Sequence, residues 1–147
     1  MAGSLPQRLD EGQPVTVCFS IADDLAAARA AGKLESVHLQ IRVTNIEPSL
    51  NDVRIELNGK SLPADILRLH DCIYRQYELG AIHPYGYIYD YQLTPDYDPA
   101  PGRNSVRVIL VKDDPMVDVS IDVYDIDCLI KYRPHRDFSM NLTDDAG

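Results

Sequence analysis

The chain has 147 residues, of which 45% are hydrophobic and 25% charged, so it is long enough for one domain with a core of its own and is unlike a disordered or fibrous sequence. Its net charge of −9 is spread along the chain, which repels a phosphate backbone and argues against nucleic acid as a partner. No apolar run approaches the ~20 residues of a membrane helix, and MAGSLPQRLDEGQP holds one Arg and no apolar core of a secretion signal.

Residues 1–14 read as a linker or flexible N-terminus, and a β-sandwich domain is expected over 15–133. Val15, Val17 and Phe19 share one parity, as expected of a strand with one buried face. ADDLAAARAAGKL is the one clear helix: Asp23 or Asp24 caps it, alanines favour it, and Gly32 ends it. Val37, Leu39, Ile41 and Val43 then alternate against His38, Gln40 and Arg42, and Val53, Ile55 and Leu57 against Arg54 and Glu56. Asn58-Gly59 follows as a strong type I′ hairpin turn. In PADILRL, Pro63 suits the first position of a second helical turn.

LHDCIYRQYELGAIHPYG lacks alternation and reads as a loop over one end of a sandwich, or else as a segment covering a sheet edge or packing against a neighbouring domain. YGYIYDYQL places Tyr85, Tyr87, Tyr89 and Tyr91 on one parity, and the inside of a sheet is the preferred reading over an exposed aromatic platform. LTPDYDPAPGRN is a rigid connection. Val106, Val108 and Leu110 alternate next, then Val117, Val119, Ile121 and Val123, after which the apolar phase shifts to Ile126, Cys128, Ile130 and Tyr132. That shift predicts either a β-bulge near Tyr124 and Asp125 or a strand bending from one sheet into another. Residues 134–147 read as a flexible tail. The whole is an all-β, antiparallel β-sandwich with one short helix near the N-terminus.

Two motifs, VRIELNGKSLP and YDYQLTPDYDPAPGRNSVRVIL, resemble the V-x-L-N-G-x-x-L turn and the L-T-P…G-x-N-x-V-x-V strand, loop and strand of galactose-binding-like jelly rolls. Such domains accompany β-galactosidases and β-glucuronidases, and the similarity extends over about residues 37–132. It implies a non-catalytic accessory domain of a carbohydrate-active protein, with glycan binding that is weak by itself, and as partner a carbohydrate or the catalytic domain of the same polypeptide. The alternative is a structural domain packing against a catalytic domain or a second copy. The chain has no Trp, whereas many sugar-binding members use one.

Seven of the nine tyrosines fall between Tyr74 and Tyr97. The loop residues Tyr74, Arg75, Tyr77 and Tyr97 are the candidate ligand-binding set, since a sugar's C–H face stacks on a ring and Arg donates to its hydroxyls. His38, His70, His83 and His135 show no metal spacing, no nucleophile elbow occurs, and no catalytic residue is assigned. The three cysteines read as buried hydrophobes. No cofactor is expected beyond a structural calcium, which the family often holds; Asp125 and Asp127 are its candidate ligands, without the D-x-D-x-D-G loop of a specific site. The competing reading is that Asp118, Asp122, Asp125 and Asp127 keep a long strand soluble and discourage edge pairing.

Overall fold

Alternation of apolar and polar residues becomes two antiparallel sheets. The computed structural model describes residues 5–44, 52–71, 86–112 and 121–134. In chain order the strands are β1 Gln7–Arg8, β2 Val15–Ile21, β3 Leu34–Val43, β4 Asp52–Leu57, β5 Lys60–Ser61, β6 Leu67–Asp71, β7 Tyr87–Gln92, β8 Gly102–Lys112 and β9 Asp122–Tyr132, with the helix α1 at Leu25–Ala30. One sheet runs β1-β9-β3-β7-β6 and the other β2-β8-β4-β5. Val37, Leu39, Ile41, Val43, Tyr89, Tyr91 and Val123 of the first form one core with Val15, Ile55, Leu57, Val106, Val108 and Leu110 of the second. Full burial of each aliphatic side chain contributes about 2 kcal/mol.

The described part of the tyrosine ladder therefore lies inside, while Tyr85 is outside the described residues. Tyr89 and Tyr91 are each 3% exposed and Tyr87 is half-buried against the same core. Burial, with Tyr89 beside it, holds the Tyr91 phenol well above its ordinary range. Gly86, where β7 begins, is required by close approach, since a Cβ there would stand 2.5 Å from the Val43 carbonyl oxygen.

The phase shift in β9 is a bulge. Arg42 faces Asp125 while Val43 faces Val123, so Tyr124 is the extra residue and β9 stays in one sheet. Thr44 closes that end: its N–H donates to Asp122 O at 2.9 Å and its hydroxyl accepts from Asp122 N at 2.8 Å. The bulge turns Tyr124 to the outer face, where the Arg42 guanidinium lies 5.7 Å from its ring centre.

Asp24 caps α1 by accepting from Ala27 N, and Gly32 follows it with φ +69°, as the sequence predicts. Asn58 (φ 51°) and Gly59 (φ 82°) make the β4–β5 turn, both in the left-handed region a type I′ turn needs.

Three expectations are corrected. The N-terminal stretch is not wholly a linker: β1 pairs with β9, Leu9 is buried, and its N–H donates to Ile121 O at 2.8 Å. Pro63 precedes a single 3₁₀ turn at Ala64–Ile66 as its cap rather than its first residue. From Leu67 the chain is strand, because Leu67 and Leu69 pair with Tyr91 and Tyr89. The loop expected from Leu69 is thus strand as far as Asp71; its residues 72–85, with Val117, Val119 and the tail from 135 onward, lie outside the described residues.

Cys128 points toward the core side of β9, and burial first, then the nearby Asp23 and Asp98 carboxylates, push its thiol up to about 11. At pH 8 its thiolate population is then about a hundredfold below that of an ordinary cysteine. In a chain with Cys18 and Cys72 replaced by serine, iodoacetamide should label Cys128 correspondingly slowly, and unfolding should restore the rate. A folded-state rate equal to the unfolded one contradicts this environment. The raised value also means that the group favours folding at low and neutral pH, a contribution lost as pH rises through about 11.

Candidate functional site: a polar groove on the outer sheet face

The solvent side of the five-stranded sheet is built from the polar parity of its strands. In register, His38 of β3 faces Gln92 of β7, Gln40 faces Asp90, and Arg68 of β6 faces Asp90 from the other side. Asp90 lies at the centre with its side chain only 12% exposed. One carboxylate oxygen is 2.8 Å from His38 Nδ1 and the other 3.4 Å from His70 Nε2. A carboxylate so placed between two imidazoles is held in one orientation while keeping lone pairs for a further donor.

These side chains line one groove of about 580 Å³ that runs to the sheet's end, where Ile66, Leu67, Leu93 and Pro95 add apolar surface. Arg29 of α1 closes that end. It grips Asp98 with two nitrogens, Nη2 lying 2.9 Å from Oδ1, and Nη2 also donates to Leu93 O at 2.9 Å. That grip, chiefly the hydrogen bonding to Asp98, raises the Arg29 pKa above its ordinary value. The loop after β7 is thus fixed to the helix, and the groove has a rigid rim.

A second lock joins the two sequence motifs. Asn104 is 1% exposed, and its amide is fully used: Oδ1 accepts from Asn58 Nδ2 and Ala100 N, and Nδ2 donates to Ala100 O and Gly102 O. Asn58 Oδ1 accepts in turn from Ser105 N at 2.9 Å. The N-G turn and the G-x-N segment, 46 residues apart at their asparagines, are one hydrogen-bonded unit.

Of the ligand candidates named from sequence, Tyr74, Arg75 and Tyr77 lie outside the described residues. Tyr97, in the 3₁₀ turn Pro95–Tyr97, is half-buried and packs on the core rather than lining the groove. Asp125 and Asp127 sit together on the outer face of β9 beside Gln40 and Arg42. Arg42 Nη1 is 3.6 Å from Asp125, so a fixed cation already occupies their field. Among the described residues no group of three or more histidines, cysteines or acids is arranged to hold a metal ion. His38, His70, Arg68, Asp90 and Gln92 were not singled out as ligand contacts by sequence reasoning. Their solvent-facing parity was the available signal; the strand order that assembles them was not.

Comparison with protein-family models, with curated proteins and with solved structures finds no match.

Proposed function

We propose that this chain is a non-catalytic glycan-binding β-sandwich of galactose-binding-like, jelly-roll type, an accessory domain of a carbohydrate-active protein, and that the groove around Asp90 is its contact surface. The groove's composition carries this reading. Sugars present hydroxyls on their edges and C–H groups on their faces. The groove offers a fixed acceptor in Asp90, donors in Arg68 and Gln92, and an apolar end at Ile66, Leu67 and Pro95. Tyrosine is absent from its described lining, so contact rests on hydrogen bonds and the small apolar end, and an affinity that is low for a single site becomes useful through tethering to an enzyme.

The alternative, a packing domain, placed an apolar patch around residues 85–91. Tyr89 and Tyr91 are instead in the core, and the outer face of β7 shows Ile88, Asp90 and Gln92, which favours the groove reading.

The test is a calorimetric screen of the purified chain against soluble oligosaccharides and polysaccharides, with calcium and then with chelator. Binding is expected to at least one neutral glycan and to weaken about tenfold or more in Asp90→Ala, with the circular dichroism unchanged. Failure of every glycan to bind, or an unaffected Asp90→Ala, overturns the assignment. Loss on chelation would return Asp125 and Asp127 to the site.

A further inference from the structure

The outer face of β9 carries its charges in order. Asp125, Asp127, Leu129 and Lys131 face out, followed by Arg133, and all five are exposed. Acids come first, bases last, and Leu129, 49% exposed, stands midway. On the side away from β3, the only strand pairing with β9 among the described residues is β1, at Val123 and Asp122. The N–H of Arg133 donates to Lys33 O on the β3 side. By strand alternation the main-chain groups of Ile126, Cys128, Ile130 and Tyr132 point to the opposite edge, where no described strand pairs with them.

We propose that this edge pairs antiparallel with the same edge of a second copy of the chain, about a two-fold axis at Leu129. In that register Asp125 faces Arg133 of the second copy, Asp127 faces Lys131, and Leu129 faces itself. Each charged contact occurs twice by symmetry. The outward main-chain groups meet as the hydrogen-bonded pairs of the new ladder, Cys128 with Ile130 and Ile126 with Tyr132. The Leu129 pair falls at a non-hydrogen-bonded position, where side chains are closest. On the core side, Ile126, Cys128 and Ile130 are only half-buried and Tyr132 is 43% exposed, and the same pairing covers them.

Neighbouring registers match fewer charges, and centring on Ile130 sets Leu129 against Lys131 while Asp125 loses its basic partner. Centring on Asp127 sets that carboxylate against itself, and centring on Cys128 leaves Asp127 facing Leu129. Existing contacts leave room for a second partner: Asp125, 3.6 Å from half-buried Arg42, is itself 60% exposed, and Lys131 with Glu35 at 3.2 Å is an exposed pair. Charges scattered merely to blunt an edge have no reason to divide into an acidic and a basic half around a bare leucine. The dimer does not depend on the glycan reading. Facing residues share a sheet face, so both grooves would open on one side of the joined sheet and offer a polymeric ligand two contacts.

Sedimentation equilibrium of the full chain tests this. The native chain is expected at twice its 16.5 kDa mass. Asp125→Lys/Asp127→Lys makes the face wholly basic, and Lys131→Asp/Arg133→Asp makes it wholly acidic. Each variant should keep native circular dichroism and dissociate about a hundredfold more readily, since four facing pairs turn from attraction to repulsion. An equimolar mixture of the two variants should dimerise again, because every pair is then complementary. A native chain that stays monomeric over the whole accessible concentration range overturns the proposal. So does a native dimer that both charge variants retain, or folded variants whose mixture fails to recombine.

Discussion

Asn104→Ala is expected to lower the free energy of unfolding by about 3 kcal/mol, a fall of about 10 °C in the melting temperature of a chain this size. The buried amide makes four hydrogen bonds, and no other group stands by to make them. Ala100, Gly102 and the Asn58 side chain are exposed enough to recover some of that loss through water, which keeps the figure below the sum of four buried orphans. Asn58→Ala should cost less, about 2 kcal/mol, from its two side-chain hydrogen bonds and from the left-handed backbone at φ 51°. The two are in contact, so the double variant should be less destabilised than the sum, by about 1 kcal/mol. Urea denaturation checks all three. A loss below about 1 kcal/mol for Asn104→Ala, or strict additivity, contradicts the shared unit.

Arg29→Met is expected to cost about 3 kcal/mol, because it leaves Asp98, only 10% exposed, with a carboxylate and no cation. The methionine keeps the aliphatic stem, so the loss reports charge and hydrogen bonding rather than packing. Arg29→Lys should recover part of it, since an ammonium makes one contact where the guanidinium grips Asp98 with two nitrogens. Adding Asp98→Leu to Arg29→Met should recover most of it, because the buried charge itself is then gone. If Arg29→Met is as stable as the native chain, the link from α1 to the loop at Leu93–Asp98 is not a structural lock. The groove's rim would then lack the rigidity assigned to it.

The strands were legible wherever a residue's own neighbours decide its conformation. Val37 to Val43 alternate because one face meets the core, and Asn58-Gly59 turns because both residues accept positive φ. The lost phase near Tyr124 marked a bulge or a bend, between which the strand register decides, and burial of Tyr89 and Tyr91 followed from the same period. What could not be read depends on which strands are neighbours. His38, His70 and Asp90 each sit at a solvent-facing position that predicts nothing alone. They meet because β7 lies between β3 and β6, an order set by long-range packing. Arg29 and Asp98, 69 residues apart, meet through the same cause. β6 was hidden by a local signal that pointed the wrong way, since the proline turn before it reads as a helix start. β1 was hidden by its length, two residues being too few to show a period.

The central claim is that the groove around Asp90, and not another face of the sandwich, meets a glycan. The most direct measurement is an NMR titration of the ¹⁵N-labelled chain with the best glycan from the screen. The account predicts progressive shifts confined to the amides of His38, Arg68, His70, Asp90 and Gln92 and their neighbours, with the β2, β4 and β8 amides still. Shifts centred elsewhere, or none at saturating glycan, would contradict it.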